Sequence, residues 1–297
     1  MTNYISKYGY EPDMNAVSST LDGIAANISK MTNRETLLRC FAAMDLTTLK
    51  STDTATSVAA FVKKVNGLAE AFPDYPLPAS VCVYPNFAPI VRDCRRDPDL
   101  HVTTVSGCFP SSQGFLEVKV HECRMAVKSG ADEIDIVLAL NAFLDGDEET
   151  AFSEITAMRS AIDEEAALAG RKVVLKVILE TGALVSAENI AEASLLAMEA
   201  GADFIKTSTG KIDVNATPSA AYVMCECIRK FYEVTGRKVG FKAAGGISNA
   251  ADALCYYLIV ATLLGDGWLG RDLFRLGVSR LGNSLMSALE EKTVTYF

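Results

Sequence analysis

Short runs of strand-forming residues recur eight times along the chain, and each is followed by a stretch with helical periodicity. The runs are CFAAM (40–44), SVCVY (80–84), HVTTV (101–105), EIDIV (133–137), VVLKVI (173–178), DFIK (203–206), VGFK (239–242) and LFRLG (273–277). Runs such as VVLKVI are apolar on both faces, as parallel strands covered by helices are. The clearest helix, SAENIAEASLLAMEA (186–200), opens on Ser186 as N-cap and stops at Gly201; Thr217-Pro218 pairs a cap with proline at the first helical position. Eight strand-then-helix units in 297 residues predict an α/β fold, a (β/α)8 TIM barrel. A doubly wound open sheet is the competing arrangement, but no G-x-G-x-x-G follows the first strand. Residues 1–37 read as an N-terminal helical extension. Residues 38–297 read as one barrel domain with a C-terminal tail, undivided by any proline- or glycine-rich linker.

The formal charge is -9, with both signs interspersed and no basic block, which argues against a nucleic-acid or anionic-membrane surface. Apolar stretches fall short of the roughly 18 residues of a membrane span, and the amino terminus has no charged-then-apolar signal pattern, so a cytoplasmic protein is expected. Eight scattered cysteines without a C-x-x-C pair read as free thiols in a reducing compartment. Cys225 and Cys227 lie two apart in a helical pattern, hence on different faces.

In a barrel the reacting groups stand at the carboxyl ends of the strands. Asp135 lies between Ile134 and Ile136, Lys176 between Leu175 and Val177, Lys206 between Ile205 and Thr207, and Lys242 between Phe241 and Ala243. Strand alternation turns the apolar neighbours to the helix layer and the charges inward, so one acid and three amines face a shared interior. A lysine with the ordinary pKa of about 10.4 is almost wholly protonated at neutral pH, and crowding by a second ammonium plus partial desolvation frees the amine. Such an amine condenses with a carbonyl, and the protonated imine accepts the electrons of a breaking carbon–carbon bond. This is aldol chemistry without a metal or other cofactor. A metal-dependent aldolase commonly needs several histidines. Here His101 opens a strand and His121 lies in a helix one turn from Glu117, and neither shows a ligand pattern.

An anion site is expected at the same end. The loops after the seventh and eighth strands read AAGGIS (243–248) and GVSRLG (277–282). Paired glycines let backbone N–H groups approach an oxyanion, and Ser279 is placed to cap a helix and to donate to phosphate. The loop TSTGK adds Thr209, Gly210 and Lys211.

DFIKTSTGK with VNAT (214–217), GFKAAGGIS downstream and LKVILETG (175–182) and EIDIV upstream resembles the deoxyribose-phosphate aldolase family. MDLTTL (44–49), VCVYP (81–85) and WLGRDLFRLGVS (268–279) extend the likeness over roughly residues 40 to 285, the last being similar to the longer, eukaryotic-type members. The resemblance implies a Schiff-base aldolase on a (β/α)8 barrel that reversibly cleaves 2-deoxy-D-ribose 5-phosphate to acetaldehyde and D-glyceraldehyde 3-phosphate, without a cofactor. It implies Lys206 as the imine-forming lysine, Lys242 as the lysine that lowers its pKa, and Asp135 as the acid that moves protons with Lys242. It further implies Lys176, Asp45, Thr47, Cys82 and Thr209 near the sugar, although a packed thiol suits Cys82 equally well. Gly210, Lys211, Gly245, Gly246, Gly277 and Ser279 match the phosphate end.

Three positions depart from the family pattern. Ala243 stands where proline is usual, Ser248 where a basic residue is common, and Arg280 where a small hydroxyl is usual. Arg280 either grips the phosphate or projects outward. Some members fold a terminal tyrosine over the site, which makes Tyr296 a candidate. The expected partners are the phosphorylated sugar, acetaldehyde and further copies of the chain, as a dimer or tetramer. Another Schiff-base sugar-phosphate aldolase or transaldolase, or a non-catalytic sugar-phosphate-binding barrel, is the alternative reading.

Overall fold

The computed structural model describes residues 3–297. Eight parallel strands, β1 (Met44–Thr47), β2 (Ser80–Val83), β3 (His101–Val105), β4 (Glu133–Val137), β5 (Val174–Ile178), β6 (Phe204–Lys206), β7 (Gly240–Ala244) and β8 (Phe274–Val278), pair in sequence order and close with β8 against β1. Helices lie between successive strands and cover the barrel, as the alternating pattern predicts. On β4, β5 and β7 the apolar residues Ile134, Ile136, Leu175, Val177 and Phe241 are fully buried against the helix layer, and the intervening Asp135, Lys176 and Lys242 are buried too. Asp135 pairs in register with Lys176, and Lys206 with Lys242, so these side chains share the inner face. Lys206 ends its strand at the carboxyl mouth, opposite Ile178 and one inward layer beyond Lys176.

The first expected strand is corrected. Cys40 and Phe41 belong to α3 (Arg34–Ala42), the third helix after α1 (Tyr4–Tyr8) and α2 (Met14–Met31), and β1 begins only at Met44. A reciprocal capping box between Asn33 and Thr36 starts α3, and its Cys40 and Phe41 are fully buried, so a short apolar run mimicked a strand. A boundary at residue 37 falls inside this helix. Ahead of it, α1 packs on the helix Ala187–Glu199, and α2 packs on the helices Pro218–Thr235 and Ala250–Leu264. The first contact is tied by the N–H groups of Tyr4 and Ile5, which donate to the Glu192 carboxylate. Packed between its neighbouring helices Ala187–Glu199 and Ala250–Leu264 and against β7, the helix Pro218–Thr235 buries both Cys225 and Cys227 despite their different faces, with the Cys227 thiol on Ala191 C=O. The expected caps form: the Ser186 hydroxyl accepts from Asn189 N–H and the Thr217 hydroxyl from Ala220 N–H. All eight cysteines are free thiols, and no described helix is long and apolar enough to cross a membrane.

Candidate active site

Inside the barrel, β4 places Asp135 beneath three amines. Lys206 Nζ and Lys242 Nζ both donate to its Oδ2 at 2.8 Å, and Lys176 Nζ donates to Oδ1 at 2.8 Å. Lys242 also donates to Asp45 from β1. Below them Arg275 from β8 grips two carboxylates, reaching Asp45 Oδ1 at 2.6 Å and Glu133 at 2.6 and 3.0 Å. Glu133 also meets Lys176 Nζ at 2.5 Å and His101 Nδ1 at 2.7 Å. The network therefore joins three carboxylates to four cations.

An isolated buried charge is unfavourable by several kcal/mol, so this set is stable only as a set. Three cations match three anions, and one amine is in excess. Burial, reinforced by the Lys242 ammonium, holds Lys206 below the ordinary lysine value although Asp135 opposes it. Burial acts the same way on Lys242, but Asp135 and Asp45 outweigh it and hold Lys242 above the ordinary value. On Asp135 burial is outweighed by Lys176, Lys206 and Lys242, which keep its carboxyl well below the usual range. On Lys206 the Lys242 ammonium acts in the lowering direction, with burial the larger cause.

Of the four cations, Lys206 alone reaches the wall of a cleft of about 540 Å³ at the strands' carboxyl ends; Lys176 and Lys242 are 0% exposed. The rest of the wall comes from the loops after β1, β6, β7 and β8, including Thr47, Thr209, Gly210, Lys211, Gly245, Gly246, Gly277, Ser279 and Arg280. Gly245 and Gly246 have φ of +83° and +81°, a backbone only glycine adopts freely, and a Cβ on Gly245 would meet Asn215 at 2.6 Å. A Cβ on Gly277 would fall 3.0 Å from Lys242 Cε, so this glycine also makes room for the lysine stem. Lys50, Lys211 and Arg280 bring three cations to the same wall. Lys211 Nζ donates to Leu49 C=O at 2.6 Å across the mouth. Arg280 is exposed and contributes to the lining of the cleft.

Several expected residues sit elsewhere. Asp45 and Lys176 are fully buried beneath the cleft, where they hold other charges. Cys82 packs with Leu49 and Val105, and burial pushes its thiol up. Ser279 does not cap the following helix: its hydroxyl donates to Thr47 C=O at 2.9 Å, and Arg280 occupies the N-cap without a side-chain cap bond. Tyr296 does not fold over the cleft. Its hydroxyl donates to Lys64 C=O at 2.8 Å, in the last turn of the helix Ala55–Asn66, and its ring stands edge-on to Phe72. Barrel helices run against the strands, so that turn lies toward the strands' amino ends, away from the cleft.

Glu133, Arg275 and Glu180 were not anticipated. Alternation within EIDIV and LFRLG turns Glu133 and Arg275 inward, a signal present in the sequence. Glu180 gave none: its backbone has φ +57°, and its carboxylate accepts from both the N–H and the hydroxyl of Thr209, holding the TSTGK loop.

The DeoC/LacD aldolase family model matches residues 39–265, and a Caenorhabditis elegans protein provisionally named deoxyribose-phosphate aldolase is 38% identical over 283 residues, 95% of this chain and 90% of its own length. The chain belongs to the DeoC/LacD aldolase family. A Toxoplasma gondii crystal structure, provisionally given the same enzyme name, superposes with a TM-score of 0.71 at 25% identity, covering 87% of this aldolase and 98% of that chain. The tetrameric deoxyribose phosphate aldolase of Aeropyrum pernix has a TM-score of 0.64 at 22% identity, covering 90% and 96%, a likeness of fold alone. In this family member, β8 and Arg280 lie beyond the family-matched segment, and their place at the cleft rests on the structure.

Proposed function

We propose that this aldolase cleaves 2-deoxy-D-ribose 5-phosphate reversibly to acetaldehyde and D-glyceraldehyde 3-phosphate, through an imine on Lys206. The observation that carries the reading is the pair of amines sharing Asp135 Oδ2, of which only Lys206 opens to the cleft. The free amine attacks the C1 aldehyde and loses water to give a protonated imine. Loss of the C3 hydroxyl proton then lets the C2–C3 bonding electrons flow into that imine, leaving an enamine on Lys206 and releasing D-glyceraldehyde 3-phosphate. Protonation at C2 and hydrolysis return acetaldehyde and the amine. Asp135, ionised and hydrogen-bonded to both amines, orients Lys206 and works with Lys242 in moving the protons. The imine restores a fourth positive charge to an interior matched for three, and electron flow into it removes that charge again.

The phosphate is held at the far wall by Lys50, Lys211 and Arg280 with the glycine backbone, which fixes C1 over Lys206. Ser279, Thr209 and Gly277 complete that end, with Thr47 beside it. Borohydride added with deoxyribose 5-phosphate is expected to trap a covalent adduct on Lys206, in EDTA as in its absence. Labelling of another lysine, or turnover of fructose phosphates in preference to deoxyribose 5-phosphate, would overturn the reading. The free thiols suit a reducing, cytoplasmic setting. We also propose a homo-oligomer of two or four copies, supported by Phe115, Val118 and Met125, exposed at 80%, 53% and 54% around one helix.

A further inference from the structure

Glu133 and Arg275 touch neither the cleft nor Asp135, yet both are fully or almost fully buried in the barrel interior, at 0% and 2% exposure. Glu133 is the first residue of β4 and Arg275 the second of β8, so the pair lies at the amino-terminal end, opposite the mouth. A fork of this kind, with two guanidinium nitrogens on one carboxylate, is often only a structural clasp. Here it is not closed on itself. The same Arg275 nitrogen that bonds Glu133 bonds Asp45, which holds Lys242; the Glu133 oxygen facing Arg275 also faces Lys176, which holds Asp135. Both branches end on Asp135: Lys242 on Oδ2, the oxygen that Lys206 also meets, and Lys176 on Oδ1.

We infer that Glu133 and Arg275 are positioning residues that set the protonation state of Lys206, by completing a charge count inside the barrel that is neutral only when Lys206 is uncharged. The inference rests on Lys206 as the imine-forming amine.

Lys206 is faced by Asp135 from β4, Lys242 from β7 and Cys82 from β2, with Lys176 of β5 and Asp45 of β1 behind them. Across the cleft stand Lys50, Lys211 and Arg280, and Glu180 lies under Thr209. From β3 the titratable group is His101, at the far end on Glu133. The interior carboxylates are held ionised and the other interior cations held charged, while Lys206 is shifted the opposite way. Removing a positive charge from this set therefore makes Lys206 hold its proton more tightly, and removing a negative charge makes it hold less tightly. A purely structural clasp predicts no such opposition of sign.

The test follows the pH dependence of Lys206 alkylation by acetaldehyde and cyanoborohydride, read by mass spectrometry of the Lys206 peptide. Absence of labelling at Lys206 in the wild type would remove the proposed function itself. With labelling present, Arg275→Met is expected to move the acid-limb midpoint up by about one pH unit and Glu133→Gln to move it down by about as much. The double variant Glu133→Gln/Arg275→Met is expected to return close to wild type. Arg275→Lys, which keeps the charge and loses the fork, is expected to hold the wild-type midpoint. His101→Gln is expected to keep the acid limb, and its disappearance would assign the titration to His101 and overturn the inference. Midpoints that stay together, or that move in the same direction in the two single variants, would also overturn it. Should Arg275→Met fail to fold, Glu133→Gln and the double variant decide the matter: a lowered midpoint in the first and its recovery in the second support the inference, and any other pattern refutes it.

Discussion

Lys242 has two carboxylates for neighbours, while Lys206 shares one of those carboxylates with two other amines. In the proposed reaction that difference in company, added to burial, separates the lysine that stays charged from the one that serves as nucleophile. Replacing Lys242 by Leu removes the ammonium next to Lys206 and leaves Asp45 and Asp135 with one cation fewer. Turnover of deoxyribose 5-phosphate is expected to fall by about 10²- to 10⁴-fold, the usual range for loss of a proton-transfer group, with far-ultraviolet circular dichroism unchanged. Near-normal turnover in that variant would leave Lys242 without a role. The three inward amines and Asp135 were legible from alternation alone, because a period of two determines which side chains face inward. Alternation gave no means of telling a wall residue from one beneath it, which is why Asp45 and Lys176 were expected near the sugar and lie under the cleft.

At the scale of the element, the helix Leu281–Glu290 begins without a side-chain cap for the N–H groups of its first turn, and the exposed Arg280 at its N-cap lines the cleft. An anion there gains from the free N–H groups and from the cation together. Arg280→Ala is expected to raise KM for deoxyribose 5-phosphate about tenfold, as loss of one charged hydrogen bond does, and to leave KM for free deoxyribose nearly unchanged. Steady-state kinetics on both sugars check this, and equal effects would take Arg280 out of the phosphate site. Strand positions were readable to within a residue or two except at β1, where buried helical residues had the composition of a strand. The placement of Tyr296 depended on Asn283, Lys64 and Phe72, contacts between segments far apart in the chain that no local pattern encodes.

For the whole molecule, the interior network couples stability to pH in two directions. Asp45, Glu133 and Asp135 have carboxyls lowered in the fold, where cations outweigh the effect of burial. Their stabilisation is complete above the ordinary carboxylate range of about 4 and is lost as pH falls through their lower folded values. Lys206, lowered by burial first, contributes oppositely: its charged form is unfavourable in the fold, and that penalty is relieved as pH rises from its folded value toward about 10. Lys206→Met is therefore expected to melt higher than wild type at pH 7, by about 1 kcal/mol, with the difference shrinking toward pH 10. Thermal melts of both proteins across that interval check the sign; a variant that melts lower at pH 7 would refute the surplus-charge account. Catalytic competence and maximal stability thus pull on the same nitrogen in different directions.

The chain's last residues also have a practical consequence. Phe297 lies against Gly282 and its main chain bonds to Asn283 on both sides, one turn from Arg280. A Cβ at residue 282 would fall 2.6 Å from the Phe297 ring, so anyone redesigning this catalyst does better to leave Gly282 alone, because a larger residue would dislodge that ring.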